Sequence, residues 1–374
     1  MKSYPNLESK LPKETPVFLP GLNGLRAIAA ISVVVAHVTL NKVADFGFPN
    51  TLDFTLADYA VTLFFVISGF LITYLLQKEQ QASGNIQIKK FYIRRILRIW
   101  PLYYFYIFIN LVFLFFTNTT NEVVTSQLWF YLFFAANIPT ITHNVIYLFA
   151  HYWSIGVEEQ FYLFWPWFMK IKRKYLLKVV FAIFILFFVV KVILYFTVGQ
   201  ASFGYRFLIY SRFNCMMIGA MGGILFFAKN KIFIKLFSLK SLQLIAWFLF
   251  FLIGFNLIPV PFIISHEIVS VASLCIIIGQ LSPDKRLINL DTRIFDLTGK
   301  ISYGIYIYHP FVIILLSMII KPLLMPLIFR YIVAYLLSIV FSIVIAWLSY
   351  NYIEYPFLKL KSKMAIIKSR SSKY

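Results

Sequence analysis

Apolar stretches about as long as a bilayer is thick recur down this chain, separated by short polar segments. Ten stand out, at about 21–40, 56–77, 99–117, 151–169, 176–197, 204–228, 241–258, 261–281, 300–320 and 326–353. Each is close to the roughly 20 residues that a helix needs to cross the hydrocarbon core. The pattern predicts an all-α polytopic membrane protein with about ten transmembrane helices. One further apolar piece, Leu128–Asn137, is too short to span and is expected to re-enter the membrane or lie along its surface. The segment before the first span is polar and mixed in charge, with no short apolar core or small-residue cleavage site. The first span is therefore expected to act as its own insertion signal.

Composition agrees with that pattern. Of 374 residues, 61% are hydrophobic and 13% charged, against roughly 25% charged in a soluble domain. The net charge of +21 would suit a nucleic-acid partner, but its distribution argues otherwise. Twenty-eight of the 35 Lys and Arg fall in segments on one side of the ten-span path. The positive-inside rule makes that side the cytoplasm and places both termini there. The chain then divides into a cytoplasmic N-terminal segment (1–18), a membrane domain (19–357) and a basic cytoplasmic tail (358–374), expected to be a solvated, lipid-facing anchor. Cys215 and Cys275, the only cysteines, both lie in predicted spans and offer no disulfide framework, CxxC motif or metal cluster.

Polar groups inside the spans carry the candidate chemistry. The first span, LPGLNGLRAIAAISVVVAHVTL, holds Arg26 and His37 eleven residues apart. On a helix that is about three turns, so both share one face, about 16 Å apart. Ionisable groups at membrane depth are costly and commonly mark a pathway or a site. Arg94, Arg95 and Arg98 fall within one turn before the third span, where they suit either anionic lipid or bidentate phosphate binding. In HYWSIGVEEQFY, His151 and Glu158 share a face, while Glu159 lies about 100° round from Glu158. Adjacent carboxylates at that depth need a partner or a proton. Arg212 is the candidate partner if the pair is structural. In the ninth span, Tyr303, Tyr306 and His309 fall within reach of one stripe. Ser68 and Gly69, like Gly219, Gly222 and Gly223, read as close helix-packing positions. A nucleophilic Ser68 lacks the GxSxG elbow and any adjoining base in sequence. Lys191 is expected to snorkel, and His266 and Glu267 to be outer-surface groups.

Taken together, GLRAIAAISVVVAH, FFVISGF, RRILRIWP, HYWSIGVEEQFY, SRFNCMMIG and ISYGIYIYHPF resemble the integral membrane acyltransferase 3 family over nearly the whole chain. The resemblance implies a ten-helix bundle in a bacterial cell membrane that moves an acyl group, usually acetyl, from cytosolic acyl-CoA to a hydroxyl. It also implies that Arg26, His37, Arg95, Arg98 and Glu158 match positions important in the family. Expected acceptors are surface glycans such as lipopolysaccharide O-antigen, capsule or exopolysaccharide. No permanently bound cofactor or metal is expected; acyl-CoA is a co-substrate, and lipids and a glycan are the partners. Two features depart from the pattern. Asn214 stands where the family often has Asp, and no hydrolase-like domain follows, which makes a lipid-linked or secreted glycan the expected acceptor rather than peptidoglycan.

The mechanism expected on this basis follows from depth. Arg95 and Arg98 hold coenzyme A phosphates, Arg26 stabilises charge on the donor, and His37 is the general base or a transient acyl carrier. Glu158 orients His37. His151, Glu159, Arg212, Tyr303 and His309 are further candidates. A proton-coupled transporter could use the same buried groups as a relay, but no internal repeat is visible. A glycan-flippase partner or lipid-binding scaffold would need no Arg26–His37 face.

Overall fold

A computed structural model describes residues 17–39, 45–48, 55–117, 122–365 and 367. Among the described residues the regular elements are all helices. The first half comprises α1 (Leu22–Thr39), α2 (Leu56–Ser83), α3 (Ile88–Phe116), α4 (Glu122–Leu132), α5 (Asn137–Ile141), α6 (Tyr152–Phe168), α7 (Arg173–Thr197) and α8 (Phe203–Ser211). There follow α9 (Phe213–Phe227), α10 (Lys231–Phe237), α11 (Lys240–Gly254), α12 (Phe262–Gln280), α13 (Arg293–Lys300), α14 (Ser302–Ile320), α15 (Leu327–Ser349) and α16 (Tyr355–Lys363).

Local sequence sets the ends of these helices. Gly84 stops α2 by adopting the left-handed conformation, with φ at 74°, a conformation open to glycine without a Cβ penalty. The side chains of Ser202 and Asn230 cap α8 and α10 by accepting from the backbone N–H of Tyr205 and Phe233.

Among the described residues, eight helices are long and apolar enough to cross a membrane, or nine if α10 and α11, bent by 59°, form one span. The fourth expected span is the shortfall from ten. It is α6, 17 residues long, with Tyr152, Val157 and Trp165 buried in the bundle. The apolar piece at Leu128–Asn137 packs against it. A Cβ on Gly156 of α6 would fall 2.7 Å from the Phe134 carbonyl. The sixth expected span is one crossing with a local break, because Arg212 takes a left-handed φ of 45° between α8 and α9. The last span runs without interruption from Leu327 through a π-helical turn, Tyr350–Glu354, to Lys363. The expected domain boundary at 357/358 therefore falls inside a helix.

α2 is the central element, with its most extensive contact along α9. Lipid tails give apolar helices no reason to prefer each other, so close van der Waals approach has to do so. Here the backbones nearly touch. A Cβ on Gly69 would lie 2.0 Å from the Met216 carbonyl, and one on Gly219 would lie 2.1 Å from that of Val66. α1 is seated on α13 in the same way, with Gly299 against the Asn23 carbonyl. There Asn23 Nδ2 donates to Asp296 at 2.8 Å. α7 is mostly exposed and forms a lipid-facing wall.

Gly219→Ala should therefore lower thermal stability in detergent by about 1–3 kcal/mol through overpacking. Gly199→Ala, in a turn with φ at 82° and nothing within 4 Å, should cost about 1 kcal/mol from backbone strain alone. A Gly219→Ala variant that melts like the wild type would show that the α2–α9 seam is not close-packed.

Candidate active site

A cavity of about 460 Å³ opens at the end of the bundle that carries Arg95, Arg98, Lys300 and Lys361. α1, α2, α3, α6, α14 and the last helix wall it. Arg26 comes from α1, Ser68 from α2, Glu158 and Tyr162 from α6, Tyr303 and Tyr306 from α14, and Glu354 from the π-helical turn.

Buried cations elsewhere in the bundle have counter-ions. Arg94 pairs with Glu79 at 2.6 Å, Lys191 with Glu267 at 2.5 Å and Arg212 with Asp58 at 3.0 Å. At the cavity wall Lys300 is likewise taken up by Asp296 at 2.5 Å. Among the described residues, Arg26, Arg98 and Lys361 make neither hydrogen bond nor ion pair, while all three line the cavity. Arg95 lies over the rings of Phe91 and Tyr162, 5.6 and 5.2 Å from their centroids. The separation within the RRxxR run is rotational. Arg95 and Arg98 share a face, and Arg94, about 100° round, turns to Glu79 and to the Met364 carbonyl.

Inside the cavity, the Glu158 carboxylate accepts very short hydrogen bonds from the hydroxyls of Ser68 and Tyr162. The expected contact of Glu158 with His37 is not made. Helical periodicity places Glu158 and His151 on one face of α6, but the two point to different neighbours along it. Ser68 thus has an adjoining carboxylate that its own sequence context does not reveal; Tyr162, four residues on from Glu158, was within one helical turn in sequence. Glu159 faces α3 and accepts from Trp100 Nε1 at 3.2 Å.

His37 belongs to a second cluster. Its ring centroid lies 5.0 Å from that of His309, which in turn is 5.4 Å from that of His151. Backbone geometry fixes two of the tautomers. Pro310 has no N–H, so the Tyr306 carbonyl lacks its usual helical donor. His309 Nδ1–H donates to that carbonyl at 2.7 Å. His37 Nδ1–H donates to the Val33 carbonyl at 2.9 Å. A carbonyl only accepts, so both rings carry the proton on Nδ1 and present an Nε2 lone pair. Tyr306 separates this cluster from the cavity. Its hydroxyl reaches the His151 carbonyl at 3.0 Å and Ser154 Oγ at 2.6 Å. Tyr303 donates to the Ile99 carbonyl at 2.9 Å and so ties α14 to α3.

Other expected placements change. Arg212 pairs with Asp58, not Glu158, and stacks on Trp153 at 4.7 Å. Lys191 does not snorkel. It is buried against Glu267, which also accepts from Asn214 at 3.0 Å. His266 is buried beside Thr62 at 3.1 Å rather than on the surface. These groups tie α7, α9 and α12 to α2. Among the described residues, no three His, Cys, Asp or Glu side chains converge as metal ligands.

A family model described as an acyltransferase domain matches residues 19–350. Among curated proteins, the O-acetyltransferase OatA of Staphylococcus aureus is 28% identical over 330 residues, covering 81% of this chain and 52% of that protein. The peptidoglycan O-acetyltransferase OatA of Listeria monocytogenes is 31% identical over 172 residues, covering 42% of this chain and 25% of that protein. The chain thus spans between a quarter and about half of the length of these relatives. No solved structure matches.

The buried Lys191–Glu267 pair makes a direct test of this network. Lys191→Ala leaves a carboxylate without its counter-ion and should cost about 3–5 kcal/mol. The double variant Lys191→Met with Glu267→Gln should recover most of that loss in detergent melting curves. A single variant as stable as the wild type would contradict the pairing.

Proposed function

The chain belongs to the acyltransferase 3 family, and from that membership we propose that it is a membrane O-acetyltransferase moving an acetyl group from acetyl-CoA to a hydroxyl of a surface glycan. The observation that carries this reading is the cavity itself. Arginines that make no direct ion pair meet there at one end of the bundle, with more cations than carboxylates around them and one residue layer from histidines with a free Nε2. Cations placed in this way suit an anionic ligand, and guanidinium forks suit phosphates. A proton-relay transporter, the other use of these groups, does not account for those cations.

In this reading the basic end faces the cytoplasm of a bacterium, in agreement with the distribution of Lys and Arg. Arg95 and Arg98 hold the phosphates of the donor, and the flexible pantetheine arm carries the thioester toward Arg26. His37 Nε2 takes the proton of the acceptor hydroxyl as its oxygen attacks the thioester carbonyl. Arg26, one layer nearer the basic end, stabilises negative charge on the donor as its arm passes. The carbon–sulfur bond then breaks, and the proton passes from His37 to the departing thiolate. Glu158, held by Ser68 and Tyr162, keeps a negative charge close to Arg26 and fixes the cavity wall. The Listeria relative is named for peptidoglycan, so that polymer stands beside capsule, O-antigen and exopolysaccharide as an acceptor to be tried.

Membranes containing the protein should release free thiol from acetyl-CoA when a glycan acceptor is supplied, and His37→Ala should abolish that release without loss of expression. Near-normal turnover in His37→Ala would overturn the assigned base. Changing Arg95 and Arg98 to Ala should raise the KM for acetyl-CoA about tenfold or more, with a smaller effect on kcat; an unchanged KM would remove them from the donor site.

Glu158→Gln distinguishes the observed contacts from the expected ones. Were Glu158 the partner of His37, losing its charge would lower the pKa of the base and move the rising limb of the pH–rate profile down. Since its carboxylate is bound to Ser68 and Tyr162 instead, the rate should fall with that limb unmoved.

A further inference from the structure

The last helix brings one lysine of the basic tail into the cavity. Glu354, Leu358 and Lys361 all line it. Their spacing of four and then three residues puts them on one helical face. Lys359 and Lys363, on other faces of the same helix, are exposed. Lys359 lies instead over the Tyr355 ring at 4.7 Å. The tail is therefore not a uniform lipid anchor.

The position of Lys361 is held from two directions. The helix is continuous from Leu327 to Lys363, and its end is fastened where Arg94 donates to the Met364 carbonyl at 3.3 Å while paired to Glu79. Half-buried at the cavity edge, Lys361 makes no hydrogen bond or ion pair among the described residues. It shares that edge with Arg95 and Arg98. Cations gathered like this repel one another unless an anion lies between them.

We infer that Lys361 binds the 3′-phosphate of the coenzyme A donor and so makes the C-terminal helix part of the donor site. The inference rests on the acyl-CoA reading above. In coenzyme A the pantetheine runs from the pyrophosphate to the thioester, and the ribose 3′-phosphate lies at the opposite end. With the thioester directed toward Arg26 and the pyrophosphate at Arg95 and Arg98, the 3′-phosphate falls at the outer edge. Lys361 is the cation supplied there by the last element of the chain.

The test is binding of acetyl-CoA and of 3′-dephospho-acetyl-CoA to the full-length protein in detergent. Wild type should bind acetyl-CoA about tenfold more tightly than the dephospho form, the scale of one charge-assisted contact. Lys361→Ala should lose most of that preference while binding the dephospho form as wild type does, which also controls for folding. Lys361→Arg should keep the preference, as should Lys359→Ala and Lys363→Ala. Undiminished discrimination in Lys361→Ala overturns the assignment, and so does an equal loss in Lys363→Ala or a loss of dephospho binding in Lys361→Ala. Wild type that binds neither nucleotide overturns the donor reading and this assignment with it. Wild type that binds both equally overturns this assignment alone.

Discussion

A charge inside a helix bundle at membrane depth needs an opposite charge, and this chain pairs it directly at most such places and at one gathers more cations than carboxylates. Glu79, Asp58, Glu267 and Asp296 each take up a cation from another turn or another helix. Those pairs join α2 to α3, α2 to the break between α8 and α9, and α7 to α12. The cations that remain are not scattered. Arg26, Arg95, Arg98 and Lys361 converge from three helices on one cavity, so the same rule that stabilises the bundle leaves a site for an anion.

The chemistry is arranged in two layers because the polar groups of α1, α6 and α14 are. Toward the basic end α1 offers Arg26 and α6 offers Glu158; further along the same helices come His37 and His151. α14 supplies both the separating residue, Tyr306, and the third imidazole, His309. A donor that delivers its acyl group at the upper layer from the basic end would leave an acceptor free to come from the other side. The Pro310 gap in the helix ladder is part of that arrangement, since it frees the carbonyl that orients His309.

Hydropathy alone was enough to show a helical membrane bundle, and charge counting was enough to bring Arg95 and Arg98 to one end of it. Periodicity shows which residues share a face of one helix, but not which helix that face meets. Arg26 and His37 do share a face, yet one lines the cavity and the other packs at a tilt against His309. For the same reason Glu158 was legible as a buried carboxylate in need of a partner, while Ser68, ninety residues earlier, was not legible as that partner. Glu267 looked like a surface group because it stands near the end of an apolar run, and its pairing with Lys191 is tertiary. Lys361 was hidden by its neighbours, since a run of basic residues gives no sign that one of them turns inward.

The glycine seam has a mechanical consequence. Ser68 sits beside Gly69, whose Cα lies against the Met216 carbonyl with no side chain between them. Backbone pressed on backbone has no rotamers with which to yield, so this wall of the cavity behaves as a fixed jaw. α1 is held by the same kind of contact, Gly299 on the Asn23 carbonyl, so any widening that admits a substrate falls to the last helix, which rests on a longer side chain, Arg94 on the Met364 carbonyl. The serine and its carboxylate would then keep their place while the cationic side of the cavity closes around whatever it holds.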